Sequence, residues 1–276
     1  MSLLGAAEIR ELAAQLDLRP AKSLGQNFVH DGNVCRKIVR TADVVESDIA
    51  LEIGPGLGSL TLALLEVARE VIAVEIDSRL AQQLPLTVSQ HSDKSDALHV
   101  LNLDALQLQS LEKDPTVLVA NLPYNVSVPV LLHLLETLPS LQRGVVMVQA
   151  EVADRLAAKP HSKEYGVPSV KAAWWADVTG AGSVSRTIFW PQPNVDSKLV
   201  AFTRRTPSGD EVMRKKVFMV IDLAFAQRRK MLRAALSSLF GSSAAAESAL
   251  QSVGIDPTLR GEALDIQDFC TIAKCV

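Results

Sequence analysis

Apolar residues along this chain follow two periods. Short apolar runs at 49–53, 71–75, 98–103, 117–120 and 145–148 have the length of strands, and those at 71–75 and 117–120 read as strands buried in the sheet. Between them, apolar positions recur three and four apart and predict helices over 6–18, 34–42, 60–68, 130–138 and 149–158, with Asp31-Gly-Asn33 capping the second. Such alternation predicts a doubly wound, mostly parallel α/β sheet. Residues 159–166 read as a polar loop. Strands are expected at 169–175, 187–189 and 198–203, around Ala181-Gly182 and a rigid connection from Trp190 to Asn194. Pro207-Ser208-Gly209 breaks the pattern, and beyond it 212–223, 227–240, 244–251 and 264–273 all have helical spacing. The expected organisation is an α/β domain over 1–206, carrying an N-terminal helix and a loop at 19–31, and a small all-α domain over 207–276.

Composition narrows the class. With 48% hydrophobic and 21% charged residues the chain has the balance of a soluble globular protein, and no apolar stretch approaches the roughly 20 residues of a membrane span. The N-terminus lacks the layout of a signal peptide, so a cytoplasmic location and no membrane partner are expected. Cys35, Cys270 and Cys275 have no paired spacing and read as free thiols; the five histidines form no cluster, so no metal is expected. The net charge of −3 hides a division. Residues 198–240 hold 10 Lys and Arg against 3 Asp and Glu, a surplus of +7, whereas the preceding 197 residues hold 16 against 23. Concentrated basic charge fits a nucleic-acid partner gripped by one part of the molecule.

Candidate chemistry sits at the ends of the predicted strands, where open α/β sheets bind ligands. Gly54-Pro-Gly-Leu-Gly58 follows the first strand and precedes a helix, as in nucleotide-cofactor elements, with Gly54 and Gly56 letting backbone approach a ligand and the helix N-terminus presenting free N–H groups. Ser59 stands where a dinucleotide fingerprint has glycine or alanine, and Glu52 precedes the turn; Glu-x-Gly-x-Gly-x-Gly is nearer to methyltransferases than to dehydrogenases. Glu75 ends the second strand, where a carboxylate can accept both hydroxyls of a ribose. Asp104 follows the third strand, placed for a cofactor adenine.

The fourth strand ends in Asn121-Leu122-Pro123-Tyr124. An asparagine oxygen and the Leu122 carbonyl can together accept both N–H bonds of an exocyclic amine, while Pro123 fixes the backbone and adds no donor. Adenine N6 is a poor nucleophile because its lone pair is delocalised into the ring. Two acceptors that favour a pyramidal nitrogen free that pair without a strong base, and Tyr124 offers a flat face for the base. Read without its neighbours, the tetrad is equally a strand running into a proline turn. The segment Gln227-Arg-Arg-Lys-Met-Leu-Arg233 places Arg228, Arg229, Lys230 and Arg233 in seven residues, either a solvated helix face or a cluster able to meet several phosphates.

Asn-Leu-Pro-Tyr is similar to the Asn/Asp-Pro-Pro-Tyr signature of S-adenosylmethionine-dependent methyltransferases acting on base amino groups. With Ser23-Leu-Gly-Gln-Asn-Phe28, Met147-Val-Gln-Ala-Glu-Val152, Phe189-Trp-Pro-Gln-Pro-Asn-Val-Asp-Ser197 and Phe225-Ala-Gln-Arg-Arg-Lys230, nearly the whole chain resembles the ribosomal RNA adenine N6,N6-dimethyltransferases. The resemblance implies a Rossmann-like class I methyltransferase sheet with a small helical RNA-binding domain. It implies dimethylation of two adjacent adenines near the 3′ end of small-subunit rRNA, within an immature ribosomal subunit, by a monomer using S-adenosylmethionine. In that reading Asn27 and the Val29 backbone close over the methionine part of the cofactor, Gly54 approaches the same end, Glu75 meets the ribose and Asp104 the adenine. Asn121 lies between cofactor and substrate, and Tyr124 and Phe189 flank the target base. Val29, Leu103 and His161 depart from the leucine, glycine and glycine usual there. A resistance-type large-subunit rRNA methyltransferase and an assembly factor acting mainly by binding are the alternatives; a nicotinamide dehydrogenase is disfavoured by Ser59.

Overall fold

A computed structural model describes residues 2–18 and 27–276. The motif residues Ser23 to Gln26, and the rest of the loop expected between Arg19 and Gln26, lie outside the described residues. In chain order the elements are α1 (Ala6–Gln15), β1 (Phe28–Val29), α2 (Gly32–Thr41), β2 (Ile49–Ile53), α3 (Ser59–Leu65), β3 (Glu70–Glu75), α4 (Ser78–His91), β4 (Leu98–Asn102), β5 (Val117–Asn121), α5 (Ser127–Thr137) and β6 (Arg143–Gln149). There follow α6 (Ala150–Leu156), α7 (Val167–Ala172), β7 (Ala176–Val184), β8 (Phe189–Trp190), β9 (Ser197–Arg204), α8 (Glu211–Ala226), α9 (Leu232–Ala235), α10 (Ser237–Phe240), α11 (Ser243–Ser252) and α12 (Ile266–Ala273).

The sheet is doubly wound, as the alternation predicts. Seven strands run in the order β4-β3-β2-β5-β6-β9-β7, parallel from β4 to β6 and antiparallel between β6 and β9. The order reverses between β2 and β5, and both strands are buried, apolar but for Glu52 within β2 and Asn121 at the end of β5. That reversal opens a crevice at the strands' C-terminal ends. A second, two-stranded ladder pairs β1 with β8, Phe28 opposite Trp190 and Val29 opposite Phe189. Asp31 caps α2 through bonds from the Asn33 and Val34 amides. Among the described residues no helix is long and apolar enough to cross a membrane.

Four elements differ from expectation. The strand expected at 187–189 is a 3-10 turn over Arg186–Ile188, and only Phe189 enters β8. Residues 167–172 form a helix rather than a strand: Pro168 lies in the first turn, where its missing N–H costs nothing, and the Gly166 amide donates to Ser169 Oγ at 3.1 Å. The strand is instead 176–184, where polar residues and two glycines mask the alternation. The helix expected over 227–240 breaks up. Residues 227–230 form a turn, and the Leu232 and Arg233 amides leave the helical pattern to donate to the Leu259 and Pro257 carbonyls.

The chain forms two compact units, Met1–Ala153 with Gly180–Thr203, and Asp154–Thr179 with Arg204–Val276. This differs from a single division at 206/207 because 154–179 is stitched into the C-terminal helices. Tyr165 Oη donates to the Leu264 carbonyl at 2.8 Å, the His161 amide donates to the Glu262 carbonyl at 2.8 Å, and Trp174 and Trp175 meet the Phe218 ring edge-on.

Candidate cofactor and base site

The crevice of the first unit encloses a cavity of about 210 Å³, bounded by the glycine turn, the ends of β3 and β5, and β1. Each wall has a local cause. After β2 the chain must reverse tightly, and Gly54, Gly56 and Gly58 all take positive φ. At Gly56, with φ +59°, an added Cβ would stand 3.0 Å from the Phe28 ring, so only glycine keeps this backbone at the cavity wall. Ser59 opens α3, and its buried hydroxyl donates to the Val29 carbonyl at 2.5 Å, holding β1 against the turn.

Glu75 ends β3 with 5% of its surface exposed. Its Oε2 accepts from the Gly56 amide at 3.1 Å and its Oε1 from the Asp77 amide at 3.0 Å, so both oxygens are aimed and each retains a lone pair. Burial pushes this carboxyl up from its ordinary range, against those backbone donors. Asp104 caps the short turn Ala105–Gln107 by accepting from the Leu106 amide at 2.9 Å. Leu103 also borders the cavity, and its amide donates to the Glu75 carbonyl at 3.1 Å. Apolar Ile76 and Leu106 line the same end.

Asn121 ends β5 on the opposite wall, and its Nδ2 donates to the main-chain oxygen of Asn27 at 3.2 Å. With the amide nitrogen engaged, Oδ1 is the atom left to accept. Leu122 is buried, its amide donating to the Met147 carbonyl at 3.1 Å, and Pro123 borders the cavity.

The structure therefore gathers Asn27, Val29, Gly54, Gly56, Glu75, Asp104, Asn121 and Pro123 around one space. It does not bring Leu122, Tyr124 or Phe189 to that wall. Tyr124 lies in the turn after β5 with its hydroxyl 3.0 Å from Ser197 Oγ, and Phe189 is only 3% exposed in the core beside β1. One charged residue at the wall was not singled out for a role by sequence reasoning. Glu52, 1% exposed within β2, accepts from Thr61 Oγ1 at 2.6 Å, and burial pushes its carboxyl up to about 8. Its signal is a lone charge in an apolar strand, two residues before the first glycine.

In the second unit the basic segment occupies the turn after α8. Arg228 pairs with Glu262 at 2.9 Å and donates to the Lys163 carbonyl, and Arg233 pairs with Glu247 at 2.9 Å. Arg229 and Lys230 are exposed and have no acidic partner among the described residues.

Comparison with known proteins meets this geometry. A family model described as ribosomal RNA adenine dimethylase matches residues 18–276. Over 274 residues the chain is 60% identical to the ribosomal RNA small subunit methyltransferase A of Thermobifida fusca, covering 99% of this chain and 96% of that protein. It is 58% identical to the protein of the same name from Corynebacterium diphtheriae, covering 99% and 95%. Among solved structures, a dimethyladenosine transferase from Plasmodium falciparum superposes with TM-score 0.74 at 24% identity, over 89% of this chain and 95% of that one. The 23S rRNA methyltransferase ErmE superposes with TM-score 0.68 at 24% identity, over 90% and 99%. The last two share the fold.

Proposed function

The chain belongs to the ribosomal RNA adenine dimethylase family, and from that premise we propose that the cavity and the end of β5 carry out S-adenosylmethionine-dependent dimethylation of adenine N6 in small-subunit rRNA, on two adjacent adenines near its 3′ end. One observation carries the assignment of roles: Asn121, Glu75 and the glycine turn border a single cavity from opposite walls. The wall fits the cofactor. Gly56 leaves room that a Cβ would fill, Glu75 presents two aimed carboxylate oxygens for ribose hydroxyls, and Ile76 and Leu106 supply apolar surface beside Asp104 for an adenine ring. When bound, S-adenosylmethionine supplies a methyl group activated by a positively charged sulfur.

The chain's own residues do the rest. Asn121 Oδ1 and the Leu122 carbonyl accept the two N–H bonds of the target amine, turning its lone pair toward the methyl donor. No side chain of the cavity need carry the methyl group covalently: the exposed lone pair of the amine would take it, and the proton that the nitrogen gives up would pass to solvent. The target base must leave its stack, and stacking on Tyr124 recovers part of that cost, of the order of 1–3 kcal/mol. Arg229 and Lys230 meet RNA phosphates, with Arg228 and Arg233 shaping the turn that presents them. The substrate is rRNA within an immature subunit, and the enzyme acts as a monomer. Large-subunit activity of the resistance type is disfavoured by identities near 60% to relatives named for the small subunit, whereas the likeness to ErmE is one of fold.

The test is methyl transfer from labelled S-adenosylmethionine to unmethylated small subunits, large subunits and free rRNA, followed by nucleoside analysis. Dimethyladenosine confined to small-subunit RNA is expected. Label in the large subunit would move the reading to the resistance type, and tight small-subunit binding without label to an assembly factor.

A further inference from the structure

Ser197 closes the Phe189-to-Ser197 motif, and the chemistry above gives it no part. Its hydroxyl lies 3.0 Å from the Tyr124 hydroxyl although 73 residues separate the two in the chain. We propose that Ser197 is a positioning residue for methyl transfer, holding the Tyr124 ring in the plane on which the extruded adenine stacks. The inference rests on the reading that Tyr124 supplies that face.

The two partners differ in how firmly they are held. Ser197 is fully buried and is the first residue of β9, opposite Gln149 in the antiparallel ladder with β6. Beside it the Asp196 carbonyl accepts from the Ala150 amide at 3.0 Å, and the Asp196 carboxylate accepts from the Arg186 amide at 3.3 Å. Its hydroxyl is therefore placed by the sheet. Tyr124 instead sits in the turn between β5 and α5, half-buried, and this turn fixes its Cα but not its χ angles. A bond at the far end of the ring is what removes that freedom.

Residue choice points the same way. Stacking needs a π-face, which phenylalanine supplies as well as tyrosine. A tyrosine here adds a hydroxyl, and the structure spends it on a buried serine rather than on the cavity wall. Burial raises the pKa of this phenol, with the Ser197 bond opposing the rise and Asp196 adding to it, so the tether joins two neutral hydroxyls.

The test is a double-mutant cycle on the full-length enzyme with unmethylated small subunits. Ser197→Ala and Tyr124→Phe are each expected to lower kcat/KM about five-fold, the worth of one net hydrogen bond, and the double variant is expected to be no worse than either. Calorimetric affinity for S-adenosylmethionine is expected to stay unchanged throughout. In a Tyr165→Phe background Tyr124 is the sole tyrosine, so tyrosinate absorbance reports on it alone, and Ser197→Ala is expected to move its pKa upward. Losses that multiply in the double variant, or full activity in Tyr124→Phe, overturn the tether; Tyr124→Phe leaves β9 intact and so decides even where Ser197→Ala folds poorly. Tyr124→Ala separates the two ideas. Full activity there removes the stacking reading itself, whereas loss there with unimpaired Ser197→Ala and Tyr124→Phe removes the tether alone.

Discussion

Asn121 and Asn27 lie 94 residues apart, and the side-chain amide of the first donates to the main-chain oxygen of the second at 3.2 Å. This bond decides which end of the Asn121 amide is presented as an acceptor. It also ties the end of β5 to the short strand β1, which Ser59 holds from the other side. Asn121→Ala is expected to lower kcat by roughly 100-fold, comparable to loss of one oriented polar group at a reacting atom, with cofactor affinity changed little. Single-turnover rates and calorimetry check both halves, and a variant as fast as the parent refutes the acceptor role.

Glu52 predicts a pH dependence of stability. Its folded carboxyl titrates near 8, above the ordinary 4.5, because burial disfavours the charge. Between those values the native state holds a proton that the unfolded chain has lost, so this group's contribution is fully present below about 4.5 and is lost as pH rises through about 8. Glu52→Gln keeps the volume and removes the titration. Melting curves from about pH 5 to 8 should fall less steeply for the variant than for the parent; parallel curves would contradict the buried-acid assignment.

The basic turn predicts two kinds of arginine effect. Replacing Arg229 and Lys230 by glutamine should flatten the salt dependence of subunit binding by about 0.7–0.9 in slope for each phosphate no longer neutralised, with the melting temperature unaffected. Arg228→Gln should mainly destabilise, because it strands Glu262 and releases the Lys163 carbonyl. Filter binding across a salt series, beside thermal melts, distinguishes the two.

His161 occupies the left-handed region at φ +70°, where an L side chain is strained and glycine is not. An L-residue there costs about 1–2 kcal/mol, and glycine returns roughly 0.4–1 of that to the flexibility of the unfolded chain. His161→Gly is therefore expected to stabilise by about 0.5–1 kcal/mol in chemical denaturation. A destabilised variant would mean that the imidazole packs in a way that offsets the strain.

Strand ends were the legible part of this molecule. Gly54, Glu75, Asp104 and Asn121 each follow an apolar run, and a parallel sheet whose order reverses between β2 and β5 must bring such ends together. What the sequence hid depends on long-range pairing or on ambiguous patterns. Glu52 looks like an interruption in a strand until Thr61 and the cavity wall are seen around it. The neutralisation of Arg228 and Arg233 depends on Glu262 and Glu247, and the Tyr124–Ser197 bond on the return of β9 against β6. The run from Val167 to Ala172 is too short for its period to separate helix from strand, and its proline and cap decided for helix.

The interleaving of residues 154–179 with the C-terminal helices bears on the order in which the protein is made. During synthesis the first unit has all its strands once residue 203 has emerged, but the segment before β7 must then wait, its tryptophans Trp174 and Trp175 without their Phe218 partner, until α8 follows. A chain cut after residue 206 thus leaves that segment orphaned rather than yielding a clean catalytic fragment, and the separate tail from 207 lacks the piece that completes its own core.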